Sequence, residues 1–208
     1  MRQLLLFLAL LLAAAPAAAS PERPLVLAFG DSLTAGYGLA AGLGFAPQLQ
    51  ASLRRHGIAA RVADAGVSGD TTSAARERLG WTLDGLGERP DLVIVELGGN
   101  DMLRNVDPTI TEANLDAILT ELRRRQIPVL LAGMRAPRNI DYQYSRRFEG
   151  LYRTLEAKHR VAFYPFFLDG AAMVPGMMLD DGIHPNFQGI KQVVSRITPA
   201  VKAALGRR

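Results

Sequence analysis

Cysteine is absent from this 208-residue chain. That excludes disulfide crosslinks and thiolate metal sites, and it leaves core packing to hold the fold. Long apolar runs are nearly absent as well. One spans residues 4–12, between Arg2 and the alanine-rich residues 13–19, and no later run is long enough to cross a bilayer. Basic stripes interleaved with aromatics are also missing. The 24 Lys and Arg exceed the 20 Asp and Glu for a net charge of +4, yet the longest basic run is Arg123-Arg124-Arg125, and the others, such as Arg146-Arg147, are pairs. These read as solvated helix faces with at most a weak attraction to anionic surfaces, so nucleic acid is not an expected partner.

The opening stretch has a positive start, a short apolar centre and a small-residue end, the pattern of a secretory signal peptide. Ala17 and Ala19 satisfy the small-x-small rule, so residues 1–19 are expected to be removed, with an uncleaved anchor as the alternative. Residues 20–208 then form a single exported domain, periplasmic or secreted, with no stable membrane span after cleavage.

Within that domain, Leu25-Val26-Leu27-Ala28-Phe29 is a continuous apolar run ended by Gly30, as in a strand buried on both faces. Phe45, Leu49 and Leu53 mark a helix, residues 59–62 a weaker strand, and Thr71 or Thr72 caps a helix running towards Leu86. Leu92-Val93-Ile94-Val95-Glu96-Leu97 is the strongest strand signal, β-branched and bounded by Pro90 and Gly98-Gly99. Leu115, Ile118, Leu119 and Leu122 give a helix, residues 129–132 a strand, Phe148, Leu151, Tyr152 and Leu155 a helix, residues 161–164 a strand, and Ile190 to Val201 a last helix. Alternation of this kind predicts βαβ units, a parallel sheet with helices on both faces, and ligands beyond the carboxyl ends of the strands.

Four stretches near those ends carry polar chemistry. Gly30-Asp31-Ser32-Leu33 offers a serine just past a strand, where a hydroxyl becomes a nucleophile once a base removes its proton. Taken alone, Ser32 serves equally well as a helix cap. His184 follows Asp181 by three residues in Asp181-Gly182-Ile183-His184-Pro185, a spacing that lets the carboxylate bond one ring nitrogen while the other faces the serine. His56 and His159 read instead as exposed residues at helix C-termini. Asn100, after Gly98-Gly99, can present its amide N–H to a developing oxyanion, and Gly69 its backbone N–H with no side chain in the way. Ser68 is a rival nucleophile and Asp180 a rival acid, but no Gly-x-Ser-x-Gly elbow occurs anywhere in the chain.

With these blocks in order, the chain resembles the SGNH (GDSL-type) hydrolases, and within them the bacterial thioesterase I/protease I/lysophospholipase L1 and arylesterase group. Gly30-Asp31-Ser32-Leu33 resembles the first family block, Gly69 the second, Gly98-Gly99-Asn100-Asp101 the third and Asp181-Gly182-Ile183-His184-Pro185 the last. One departure is Asp64, where many members carry asparagine. The resemblance implies a three-layer α/β/α domain with a flavodoxin-like five-stranded parallel sheet, no metal and no organic cofactor.

The expected reaction is two-step acyl transfer. Ser32, His184 and Asp181 act as the catalytic triad, and Ser32, Gly69 and Asn100 as the oxyanion hole. The expected substrate is a small-molecule or lipid acyl ester or thioester. Met102, Leu103 and Val106 resemble a loop covering the acyl chain, with Arg135, Ala136 and Pro137 as another wall. Met173, Val174, Met177 and Met178 precede the triad acid as further adaptable apolar surface. A carbohydrate O-deacetylase or an acyltransferase is the alternative within enzymes, and a non-catalytic ligand-binding α/β domain the alternative outside them.

Overall fold

The computed structural model describes residues 23–206, so the expected signal peptide lies outside the described residues. The elements run β1 (Leu25–Gly30), α1 (Ser32–Ala35), α2 (Phe45–Arg55), β2 (Arg61–Gly66), α3 (Thr72–Gly85), β3 (Leu92–Glu96), α4 (Gly99–Leu103), α5 (Pro108–Arg124), β4 (Val129–Ala132), α6 (Tyr142–His159), β5 (Ala162–Tyr164) and α7 (Phe187–Leu205).

β1, β3 and β4 are buried at every position, which is why their sequences are near-continuous apolar runs rather than alternations. All pairs are parallel, in the order β2-β1-β3-β4-β5. Parallel neighbours need crossover connections, and the long helices supply them. α2 packs on α7, while α3, α5 and α6 pack side by side as a second layer. The three-layer α/β/α expectation is met, and among the described residues no helix is long and apolar enough to cross a membrane.

The order in which strands are added reverses between β1 and β3, the switch point at which folds of this order open a crevice. The register sharpens this, because Gly30 lies beside both Gly66 and Glu96. The turns after β1, β2 and β3 therefore leave the sheet from one place.

Local chemistry sets most helix starts. Thr71, Asp107, Asp141 and Asn186 each cap with a side-chain oxygen. Asn186 caps α7, and Pro185 stands two residues before its first residue, Phe187. Three expectations are corrected. The second strand lies at Arg61–Gly66 instead of residues 59–62, since an edge strand with half-exposed positions gives little apolar signal. Ser32 and Asn100 sit in short helices rather than plain turns. His159 is buried, not exposed: its Nε2 lies 2.6 Å from Asp116 Oδ1, a bond that draws the ring inward at the end of α6.

Candidate active site

The end of β1 places the serine. Asp31 caps α1 by accepting the Leu33 N–H at 3.0 Å, and Ser32 is the first residue of that helix. A carboxylate there satisfies one of the amides left unpaired at a helix start. Ser32 is mostly buried, so its hydroxyl has a restricted set of partners.

The histidine arrives from residues 176–186, which fold back on themselves. The Leu179 N–H donates to His184 O at 2.8 Å, and the Asn186 N–H donates to Met177 O at 3.0 Å. Asp181 Oδ1 accepts the backbone N–H groups of Ile183 and His184 at 2.9 and 3.0 Å. Its Oδ2 lies 2.7 Å from His184 Nδ1, and His184 Nε2 lies 2.9 Å from Ser32 Oγ. Gly182 turns this loop at φ +67°, a left-handed conformation in which a Cβ is strained.

These bonds have an electrostatic consequence. The backbone N–H and side chain of His184 hold the Asp181 carboxyl down at about 2. An ionised Asp181 fixes the proton on Nδ1 and leaves Nε2 to accept from the Ser32 hydroxyl. The Tyr37 ring stands 4.4 Å from the imidazole, centroid to centroid, and limits its tilt.

The three candidate donors follow the carboxyl ends of β1, β2 and β3. Gly69 follows β2 at φ +88°, again a conformation suited to glycine. Asn100 is the second residue of α4, and its Nδ2 donates to Asp31 Oδ2 at 3.1 Å. An amide nitrogen carries a second N–H, which is the one required for an oxyanion.

Beneath them lies a buried acid that sequence reasoning passed over. Glu96 ends β3 with no exposure, and its Oε2 accepts the Thr34 hydroxyl at 2.7 Å. Burial pushes its carboxyl well up, and the neighbouring Asp31 adds to the effect. Burial likewise raises Asp31 from 3.8 to about 6. Two acids share one dry region, and burial favours the neutral form of each. Among the described residues, no three His, Asp or Glu side chains converge as ligands for a metal ion.

The model of the GDSL-like lipase/acylhydrolase family matches residues 28–191, from β1 into the start of α7. The chain belongs to this family. It is a serine esterase of the SGNH type, and its relatives agree. It is 38% identical over 207 residues to esterase TesA of Pseudomonas aeruginosa, covering 99% of this chain and 100% of that one. It is 36% identical over 169 residues to thioesterase 1/protease 1/lysophospholipase L1 of Escherichia coli K12, covering 81% and 78%. Among solved structures, the SGNH-hydrolase family esterase AlinE4 superimposes with a TM-score of 0.76 at 47% identity, over 90% of this chain and 99% of that one.

The GDSL-like chain divides the expected acyl-wall residues. Met102 is buried against the core on α4. Leu103 beside it is exposed, and Val106 is half-buried, its carbonyl accepting the Tyr144 hydroxyl at 2.9 Å. Arg135 lies 5.1 Å above the Phe166 ring, and Pro137 is exposed beyond β4. Met177 and Met178 pack against the core, whereas Met173 is almost wholly exposed. The rivals fall away: Ser68 is exposed, and the acid that bonds His184 is Asp181 rather than Asp180.

Proposed function

We propose that the esterase works through an acyl-enzyme on Ser32. His184 Nε2 takes the hydroxyl proton as Oγ attacks the carbonyl carbon, and the imidazolium is stabilised by Asp181. The backbone N–H groups of Ser32 and Gly69 and the side chain of Asn100 receive the oxyanion. His184 then returns the proton to the leaving alcohol or thiol, and activates water to release the acid. The observation that carries this assignment is the unbroken chain Asp181–His184–Ser32, with separations of 2.7 and 2.9 Å.

The substrates we assign are acyl and aryl esters, and thioesters and lysophospholipids of the kind named for the Escherichia coli relative. Exposed Leu103 and half-buried Val106 on one side, with Arg135 and Pro137 on the other, form the acyl walls. We further assign residues 1–19 as a signal peptide that directs residues 20–208 to the periplasm or beyond. Mass measurement of the exported protein tests this, and a retained residue 1 overturns it.

Hydrolysis of a nitrophenyl acyl ester tests the chemistry. Ser32→Ala is expected to lower turnover by about 10⁶-fold and to abolish labelling by an organofluorophosphonate. Full activity in that variant overturns the assignment.

A further inference from the structure

Each of the three assigned oxyanion donors has an aspartate as its immediate neighbour in sequence: Asp31 before Ser32, Asp70 after Gly69, Asp101 after Asn100. All three are buried, with exposures of 1%, 9% and 1%. Asp31 and Asp101 reach directly to a different turn, and Asp70 does so through Arg78 of the helix that follows it. Asp31 Oδ2 accepts from Asn100 Nδ2 at 3.1 Å, linking the turn after β1 to the turn after β3. Asp101 accepts the Thr72 N–H at 2.8 Å and its hydroxyl at 2.5 Å, linking the turn after β3 to the one after β2. Asp70 accepts from Arg78 Nε at 2.6 Å, and Arg78 Nη2 donates to Gly30 O at 2.9 Å, which returns to the end of β1. The circuit is closed.

We propose that Asp31, Asp70 and Asp101, with Arg78 and Thr72, are positioning residues that form a closed ring of ties fixing the three oxyanion donors relative to one another. The proposal rests on the assignment of Ser32, Gly69 and Asn100 as those donors. Helix capping alone does not account for the ring. Asp107 and Asp141 cap α5 and α6 from exposed positions, so this fold does not need buried acids to start a helix. Burying carboxylates is costly unless every oxygen is engaged. Arg78 is buried too, with its guanidinium 4.3 Å over the Phe29 ring, so it is held as a rigid spacer rather than a mobile cation. An oxyanion hole works only when its donors stand in place before charge develops. A ring of three ties fixes all three separations, where two ties would leave one free.

The test uses Asp70→Asn, Asp101→Asn, Arg78→Lys and Thr72→Val, with Thr72→Ser as the conservative rescue, assayed on a nitrophenyl ester beside Ser32→Ala. The ring predicts that kcat falls about 10- to 100-fold in each broken tie while KM stays within about threefold, since displacement by about 1 Å costs this much. Thr72→Ser, which keeps both donors to Asp101, restores activity and Thr72→Val does not. Combined with Asn100→Ala, Asp101→Asn costs less than the product of the two single losses, because both act on the same donor set. Variants that lose only melting temperature, that raise KM at constant kcat, or that multiply independently with Asn100→Ala overturn the ring. Should one aspartate variant fail to fold, its partner at Arg78 or Thr72 breaks the same tie. Activity in Ser32→Ala would instead defeat the esterase assignment beneath it.

Discussion

His184 and Asp181 are held by their own loop, whereas the turns carrying Ser32, Gly69 and Asn100 are held by each other. The acid and base are three residues apart, and the bonds that shape them run within residues 176–186. Asp181 is 35% exposed through its side chain. On the proposed donor side, the ties span 69, 29 and 48 residues; the latter two are buried and the one at Asn100 is part-buried. A general base must rotate and exchange protons, so a local, solvated mounting suits it. An oxyanion hole gains only from being fixed beforehand, so it is mounted on the sheet.

Substitutions can break this contrast from either side. The largest effect in this set is expected for Asp181→Asn, which leaves the loop intact but permits the wrong tautomer; turnover should fall on the order of 10⁴-fold with little change in melting temperature. A comparable loss of fold would show that the loop is not self-contained. Asn100→Ala should cost about 10²- to 10³-fold in kcat, measured on the same ester, by removing one donor. Gly182→Ala tests the local mounting: a Cβ at φ +67° costs roughly 1–2 kcal/mol. That loss should be read in the loop's own stability, by proteolysis, more than in global melting.

The smallest effect is a change in pH dependence. Asp31, raised from 3.8 to about 6, stays protonated in the folded protein after the unfolded chain has released its proton, so stability falls as pH rises across that window. Asp181, held at about 2, contributes the opposite sign: its stabilisation is complete above 3.8 and disappears as pH falls through 2. Asp31→Asn removes the Asp31 titration and should flatten the decline between about pH 4 and 6 in urea titrations. An unchanged slope would show that Asp31 does not carry it.

How much of this could be read in advance depended on distance along the chain. The buried strands β1, β3 and β4 announce themselves as apolar runs, whereas β2 is read two residues early at its start and four at its end because Asp64 and Gly66 interrupt its signal at the edge. α1 and α4 span four and five residues, too short to show a helical period. Asp181 and His184 were legible because their pairing is local. The partners of Asp31, Asp70 and Asp101 were not, although the recurring aspartate beside each donor was visible as a pattern without a meaning. Arg78 gave still less signal, since a single arginine in a helix ordinarily faces water. Tyr37 and Glu96 acquire roles only from what the fold sets beside them.

Among the described residues β2 pairs with one strand, β1, and its outer edge is met by side chains, with Gln50 Oε1 accepting the Val62 N–H at 2.9 Å beside the exposed charges of Arg61 and Asp64. The turn bearing Gly69 hangs from the end of this strand. Outer strands fray at lower free energy than those enclosed on both sides. Warming is expected to loosen this margin of the sheet ahead of the interior, leaving the assigned Gly69 donor held by the ties alone, so esterase activity should decline some degrees below the melting temperature and return on cooling. Amide exchange along residues 61–66 would record that margin, ahead of any signal from β3.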